Sequence, residues 1–394
     1  MTRRKICFVT GSRAEYGLLF WTMKTLLEDP DVIFQLVVTG AHLSPHFGLT
    51  VTEIEHDGFP VDARVDLDLG DNSALGVVKS MAQGLGGMAE AFARLDPDII
   101  VVLGDRYEIL VAAQAGLVLR IPLAHIHGGE STEAAIDEAI RHAVTKMAHL
   151  HFTAAEPYRR RVVQMGEQPA RVFTVGALGI DNIRRLRLVD RHELEDALKF
   201  RFGAVNFLVT YHPVTLAGEA TDDPVGALLN ALDGFPEASL VITGANADPG
   251  GRCINESLRN YAVRRGRMAL FAPSLGHVPY LSIMRLADVV IGNSSSGIIE
   301  APALGRPTVN IGDRQKGRLR SHSVIDCTHD AESIRAAIAR ALSPSFKERA
   351  ASAEHPYGCG GAAERIAEAL KRCPLDNIIR KEFYELPGEP LPSA

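Results

Sequence analysis

The run from Leu103 to His142 reads LGDRYEILVAAQAGLVLRIPLAHIHGGESTEAAIDEAIRH. An apolar segment, Ile99–Leu103, ends abruptly in Gly104-Asp105-Arg106, and a second, Pro122–His127, ends in Gly128-Gly129-Glu130. A helical pattern then brings Asp137, Arg141 and His142. Ligands of open parallel sheets bind just beyond the carboxyl ends of the strands. Two strand ends that deliver Asp, Arg and Glu, followed by a helix with Asp, Arg and His, suit general acid–base work on a charged substrate.

Three other turns carry similar chemistry. Gly11-Ser12-Arg13-Ala14-Glu15-Tyr16-Gly17 follows the first apolar run and opens a helix, so free N–H groups and Arg13 could meet an anion. It is neither G-x-G-x-x-G nor a P-loop, and an ordinary strand–helix turn would also account for it. Gly292-Asn293-Ser294-Ser295-Ser296-Gly297 follows the run DVVI, with Glu300 one turn further on. One serine there is explained by helix capping. Three serines with Gly297 suit a phosphate cradle of N–H, O–H and helix dipole, and Glu300 could accept from a ribose diol. Tyr211-His212-Pro213 ends the run NFLVT, and Pro213 should fix His212 at the sheet's carboxyl edge. His125 and His127 would share one face of a strand, but they lack a well-placed third ligand, so packing outweighs metal binding. Gly84-Leu85-Gly86-Gly87 reads as close helix packing, and the arginine runs, such as Arg159–Arg161, as solvated helix faces.

Short apolar runs alternate with helical-period segments throughout, the signature of parallel α/β sheets. KICFVT, IFQLVVTG, DIIVVLGD, PLAHIHGG, HLHFTA and RVFTVG read as strands, with helices over Tyr16–Leu27, Ala74–Leu95, Ile109–Leu119 and Ala134–Ala148. An Arg-rich stretch without strands follows. The alternation restarts with NFLVTYHP, ASLVITGAN, RMALFAP, DVVIGNS and PTVNIGD. We expect an α/β protein of two Rossmann-like domains facing a central cleft. The first spans residues 1–180 and carries the carboxylates. Connecting helices cover 181–205, a second Rossmann-like domain covers 206–373, and a C-terminal helix with its tail (374–394) packs back on the first.

The 394 residues, 46% hydrophobic, suffice for two sizeable cores. A net charge of −6 with no basic stripe argues against nucleic acid. Five scattered cysteines without a C-x-x-C pair suit a reducing compartment. The N-terminal apolar run is too short for a signal peptide, and no run reaches the ~18 residues of a membrane helix. A cytoplasmic protein without membrane partners is expected.

Together, GSRAEYG, LGDRYE, HIHGGE…IDEAIRHAVTKMAHLHF, YHPVT, GANADPGG, GNSSSGIIEA and NIGDRQKGR resemble the hydrolysing UDP-N-acetylglucosamine 2-epimerases of sialic- and legionaminic-acid pathways. The resemblance runs from about Lys5 to about Gly361, in order. It implies a fold similar to GT-B glycosyltransferases and conversion of UDP-GlcNAc and water to N-acetylmannosamine and UDP, with no metal or redox cofactor. Relatives perform the same chemistry on UDP-N,N'-diacetylbacillosamine. UDP leaves C-1, a base takes the C-2 proton, and the glycal is rehydrated with inversion at C-2. The resemblance places Asp105, Glu130, Asp137 and His212 as catalytic groups, without distributing the C-2 proton among the carboxylates. Asp137 stands one position later than in some relatives. Arg13, Arg106, Ser294 and Ser295 match the UDP set, and Asn246, Gly297, Glu300, Arg314 and Gly317 extend it. Gly17 replaces a polar residue of the vertebrate members, and no kinase domain follows.

The alternatives are a non-hydrolysing 2-epimerase, a GT-B glycosyltransferase and a non-catalytic UDP-sugar sensor. The last two do not call for three carboxylates. With arginines in one domain and serines in the other, a bound diphosphate should close the cleft. A homodimer or homotetramer is expected, with the Ala74–Leu95 helix as an interface.

Overall fold

A computed structural model of the chain describes residues 3–71, 73–132, 136–213, 223–245 and 251–387. Asn246 lies outside the described residues. The chain forms two compact units: Met1–Glu130, Asp137–Asp181 and Gly358–Ala394 make the first, Ser131–Ile136 and Asn182–Tyr357 the second.

The first unit is built on strands β1 (Arg4–Thr10), β2 (Val32–Thr39), β3 (Ala63–Val65), β4 (Ile99–Leu103), β5 (Leu123–Ile126), β6 (Leu150–Thr153) and β7 (Val172–Thr174). Among the described residues they form one parallel sheet in the order β3-β2-β1-β4-β5-β6-β7. Successive β1 side chains point to opposite faces. Ile6 and Phe8 therefore pack with the helix Arg13–Leu27, while Cys7 and Val9 pack with the helices Ala74–Leu95 and Tyr107–Val118. Both faces are covered, which explains the unbroken apolar runs. Gly84 and Gly87 of the Ala74–Leu95 helix do pack closely, whereas Gly86 faces open space. A Cβ on Gly84 would lie 2.3 Å from Leu67, and one on Gly87 2.8 Å from Val65.

The second unit repeats the plan with β8 (Val205–Thr210), β9 (Ala238–Thr243), β10 (Ala269–Ala272), β11 (Val289–Gly292), β12 (Thr308–Ile311) and β13 (Val324–Cys327), in the order β10-β9-β8-β11-β12-β13. In both sheets the order reverses direction beside the first strand, between β1 and β4 and between β8 and β11. Such a switch point leaves a crevice at the carboxyl edge where ligands bind.

The chain returns to the first unit at Gly358, ahead of the expected boundary at 373. Ala362, Ala363, Ile366, Ala367 and Leu370 of the helix Ala362–Arg372 complete the first unit's core beside Leu19 and Met23. The expected C-terminal helix is corrected. Residues 374–387 form turns and extended chain, with Asn377 at φ +57°. Lys381 buries its ammonium against Glu167 (2.7 Å) and the carbonyls of Lys146 (2.7 Å) and Ala148 (2.6 Å). Among the described residues no helix is long and apolar enough to cross a membrane.

Candidate active site

At the first switch point, β1 ends in Gly11 and Ser12, and β4 in Gly104, Asp105 and Arg106. Ser12 caps the Arg13–Leu27 helix, its Oγ accepting from the Glu15 N–H at 3.5 Å. Arg13, half exposed, pairs with Glu53 at 3.2 Å. Gly104 (φ +83°) turns the chain so that Asp105 leaves the strand end.

Arg141, 2% exposed, is the hub of this site. Its Nη2 pairs with Asp105 Oδ2, while Nη1 donates to the His127 carbonyl (3.0 Å) and lies 3.7 Å from Glu130 Oε2. Glu130 is buried, with its Oε1 2.7 Å from His127 Nδ1. One guanidinium thus holds two expected catalytic carboxylates from two strand ends, a use of the planar fork that lysine could not match. Arg161 donates to the Gly129 carbonyl at 2.5 Å, so this part of the arginine run fixes the Gly-Gly-Glu turn instead of facing solvent. Asp137 opens the helix Asp137–Met147, half-buried and one turn before Arg141.

The two histidines of β5 part company. His127 lies past the strand at φ +64°, which breaks the alternation that would have put both on one face. His125 is fully buried, and its Nε2 donates to the Gly104 carbonyl at 2.7 Å. Its Nδ1 meets Thr145 Oγ1 at 3.1 Å. Burial pushes its pKa down to about 3, so the ring is neutral and ties the Asp105 turn to the helix that carries Arg141. Among the described residues no cluster of three or more His, Cys, Asp or Glu could hold a metal ion.

At the second switch point, Gly292 (φ +137°) is required because a Cβ would lie 1.9 Å from the Thr210 carbonyl. Asn293, fully buried, accepts from the His212 N–H at 2.7 Å and donates to its carbonyl at 2.8 Å. This reciprocal pair fixes His212 at the end of β8. The Asn293 carbonyl accepts from Arg314 (3.2 Å) and Gln315 (2.9 Å). The serines do more than cap. Ser295 is the N-cap of the helix Ser296–Ala303 but makes no side-chain cap bond. Ser294 and Ser296 join hydroxyls at 3.0 Å, and Tyr280 Oη meets Ser296 Oγ at 2.6 Å. The hydroxyl row continues through Thr210 to Thr243 (2.7 Å). Gly297 serves helix packing, since a Cβ there would come within 2.9 Å of Thr308. Glu300 is half-buried on the same helix.

The profile described as UDP-N-acetylglucosamine 2-epimerase matches residues 24–371. The chain belongs to this family. It is 41% identical to the "GDP/UDP-N,N'-diacetylbacillosamine 2-epimerase (hydrolyzing)" of Campylobacter jejuni, covering 98% of this chain and 100% of that one. It is 34% identical to the "UDP-N,N'-diacetylbacillosamine 2-epimerase (hydrolyzing)" of Legionella pneumophila, over 95% and 98% of the two chains. The Neisseria meningitidis UDP-GlcNAc 2-epimerase, solved bound to UDP-GlcNAc, superposes with a TM-score of 0.78 at 18% identity over 93% and 99% of the chains, a likeness of fold.

Within this 2-epimerase family member, the structure gathers Asp105 and Glu130 on Arg141, and His212 with the serine turn through Asn293. Sequence reading named Arg141 and Asn293 within their motifs without giving either a role of its own, and left out Tyr280 and Gln315 as site residues. Arg141 had one available signal: it stands four residues after Asp137, on the same helix face. Asn293 offered none, because its work is done on the backbone of a residue 81 positions away.

Proposed function

We propose that this enzyme is a hydrolysing nucleotide-sugar 2-epimerase that takes UDP-N,N'-diacetylbacillosamine and water to UDP and the free C-2 epimer. The observation that carries the reading is the carboxylate pair Asp105 and Glu130 on buried Arg141 at a sheet switch point. The names of the Campylobacter and Legionella relatives favour the diacetamido sugar over UDP-GlcNAc. In this reading the C-1–O bond breaks and UDP carries away its electron pair. A carboxylate takes the C-2 proton, and C-1 and C-2 become doubly bonded. Water then adds across that bond, with its hydroxyl at C-1 and a proton on the opposite face of C-2. Asp105, Glu130 and Asp137 manage these protons, and His212 serves the diphosphate or the water. Arg13, Arg106, Arg314 and the Ser294–Ser296 turn hold UDP, whose leaving charge they stabilise. No step calls for a metal.

Incubation with each UDP-sugar separately, without acceptor, tests the proposal. Release of free epimerised sugar, faster from the diacetamido substrate, is expected. UDP-linked epimer would indicate the non-hydrolysing reaction, and no turnover without acceptor a glycosyltransferase.

Homo-oligomerisation is proposed through the neighbouring helices Ala74–Leu95 and Tyr107–Val118. Leu75, Val78, Leu85, Leu117 and Val118 are exposed on their outward faces. Two adjacent helices of this length offer a face on the order of 600 Å², close to the ~800 Å² per partner of a standard interface. Leu85→Glu with Val118→Glu should lower the mass measured by light scattering to that of one chain. An unchanged mass would place the interface elsewhere.

A further inference from the structure

Two buried carboxyls, those of Glu15 and Glu108, approach Gly11. Glu15, in the first turn of the Arg13–Leu27 helix, folds back so that its Oε2 accepts from the Gly11 N–H at 2.8 Å. Glu108, in the first turn of the Tyr107–Val118 helix, lies against the same residue. A Cβ on Gly11 would fall 2.4 Å from Glu108 Cγ and 3.1 Å from its Oε1, so only glycine fits against Glu108 here. Glu15 and Glu108 are 5% and 3% exposed. Arg106 Nε approaches Glu108 Oε1 at 3.5 Å. Glu15 Oε1 and Glu108 Oε2 are buried with no hydrogen-bond partner. Two ionised carboxylates here would set two negative charges against one nearby guanidinium and leave both oxygens unsatisfied. A single proton removes the repulsion and supplies a donor.

We propose that Glu15 and Glu108 share one proton and act as positioning residues, clipping the Gly11–Arg13 turn to the Gly104–Arg106 turn so that both arginines are set for a diphosphate. Neither carboxyl is asked to touch substrate. The groups that face the pair agree with this. Burial pushes the Glu15 carboxyl up to about 8, and the Glu108 charge adds to that. The Gly11 N–H and Arg106 oppose the rise, and Asp105 reinforces it. His42, from the turn after β2, meets Thr10 Oγ1 at 3.1 Å, and burial holds it down at about 4, so it brings no charge. Arg13 is turned toward Glu53. Because the folded state binds this proton more tightly than the unfolded chain, the pair's contribution to stability is complete below the ordinary glutamate range. It is lost as pH rises through about 8.

Infrared difference spectroscopy tests the shared proton directly. Wild type minus Glu15→Gln should show a protonated carboxyl C=O band at neutral pH that fades on alkalinisation. UDP titration then tests the clip. If only the protonated form is competent, wild-type affinity should weaken about tenfold between about pH 7 and about pH 9. Glu15→Gln mimics the protonated acid and should lose most of that dependence, whereas Glu15→Ala should bind UDP weakly at both. Should Glu15→Gln fail to fold, as judged by circular dichroism, Glu108→Gln takes its place. Absence of the carboxyl band, or the same pH dependence in the glutamine variant as in wild type, overturns the proposal. The UDP arm rests on the proposed function and the infrared arm does not. A band without UDP binding would count against that function while leaving the shared proton in place.

Discussion

Arg141→Lys is expected to lower kcat by about 10²–10³-fold, the loss typical of removing one preorganised charge-stabilising donor. Arg141 is buried and reaches Asp105, Glu130 and the His127 carbonyl at once. Lysine keeps one positive charge but gives up the planar fork, so it can serve one carboxylate and leaves the other misplaced. The residues proposed to hold UDP lie elsewhere, so KM should change far less than kcat. Arg141→Ala is a harsher test. It removes the buried guanidinium that both carboxylates share, and a destabilisation of about 3–5 kcal/mol is expected in addition. Steady-state kinetics of the lysine variant checks the claim, and a kcat within a few-fold of wild type would remove Arg141 from the centre of the site.

The largest effect on stability is expected at Asp181, 1% exposed at the last position of the first unit before the chain crosses to the second. Its carboxylate accepts from the N–H groups of Gly361 (2.5 Å), Ala362 (3.3 Å) and Ala363 (2.7 Å), where the returning chain begins the helix Ala362–Arg372. A buried anion on a helix N-terminus gains from both the free N–H groups and the dipole. Asp181→Ala leaves three N–H groups without an acceptor, at a cost of about 3 kcal/mol. For a unit of this size that lowers the thermal midpoint by roughly 6–12 °C. Asp181→Asn keeps an acceptor and should fall between. Calorimetry decides, and an unshifted midpoint in the alanine variant would show that the helix start is held by other means.

Much of this architecture is legible in the sequence because buried parallel strands have no polar face to confuse the pattern. The runs KICFVT, DIIVVLGD, NFLVTYHP and DVVIGNS are β1, β4, β8 and β11, the strands that frame both switch points. The short edge strands Ala63–Val65 and Val324–Cys327 escape notice because they alternate or are polar. The tail over 374–387 carries a helical pattern, yet Lys381 is drawn into the Glu167 cluster by tertiary contacts no local pattern encodes. The site divides in the same way. Asp105, Arg106, Glu130 and the serine turn announce themselves as polar groups at strand ends. Arg141, Asn293 and Glu15 stand in readable motifs, but the partners they hold are distant in sequence or packed against a glycine, so only the folded chain shows what they do.

The central claim is that the carboxylates on Arg141 serve an elimination at C-1 and C-2 followed by hydration. Turnover in deuterium oxide tests it most directly, with NMR of the released sugar. The account predicts free sugar with inverted configuration and one deuterium at C-2, formed together with UDP. Free epimerised sugar that keeps its protium at C-2 would contradict it.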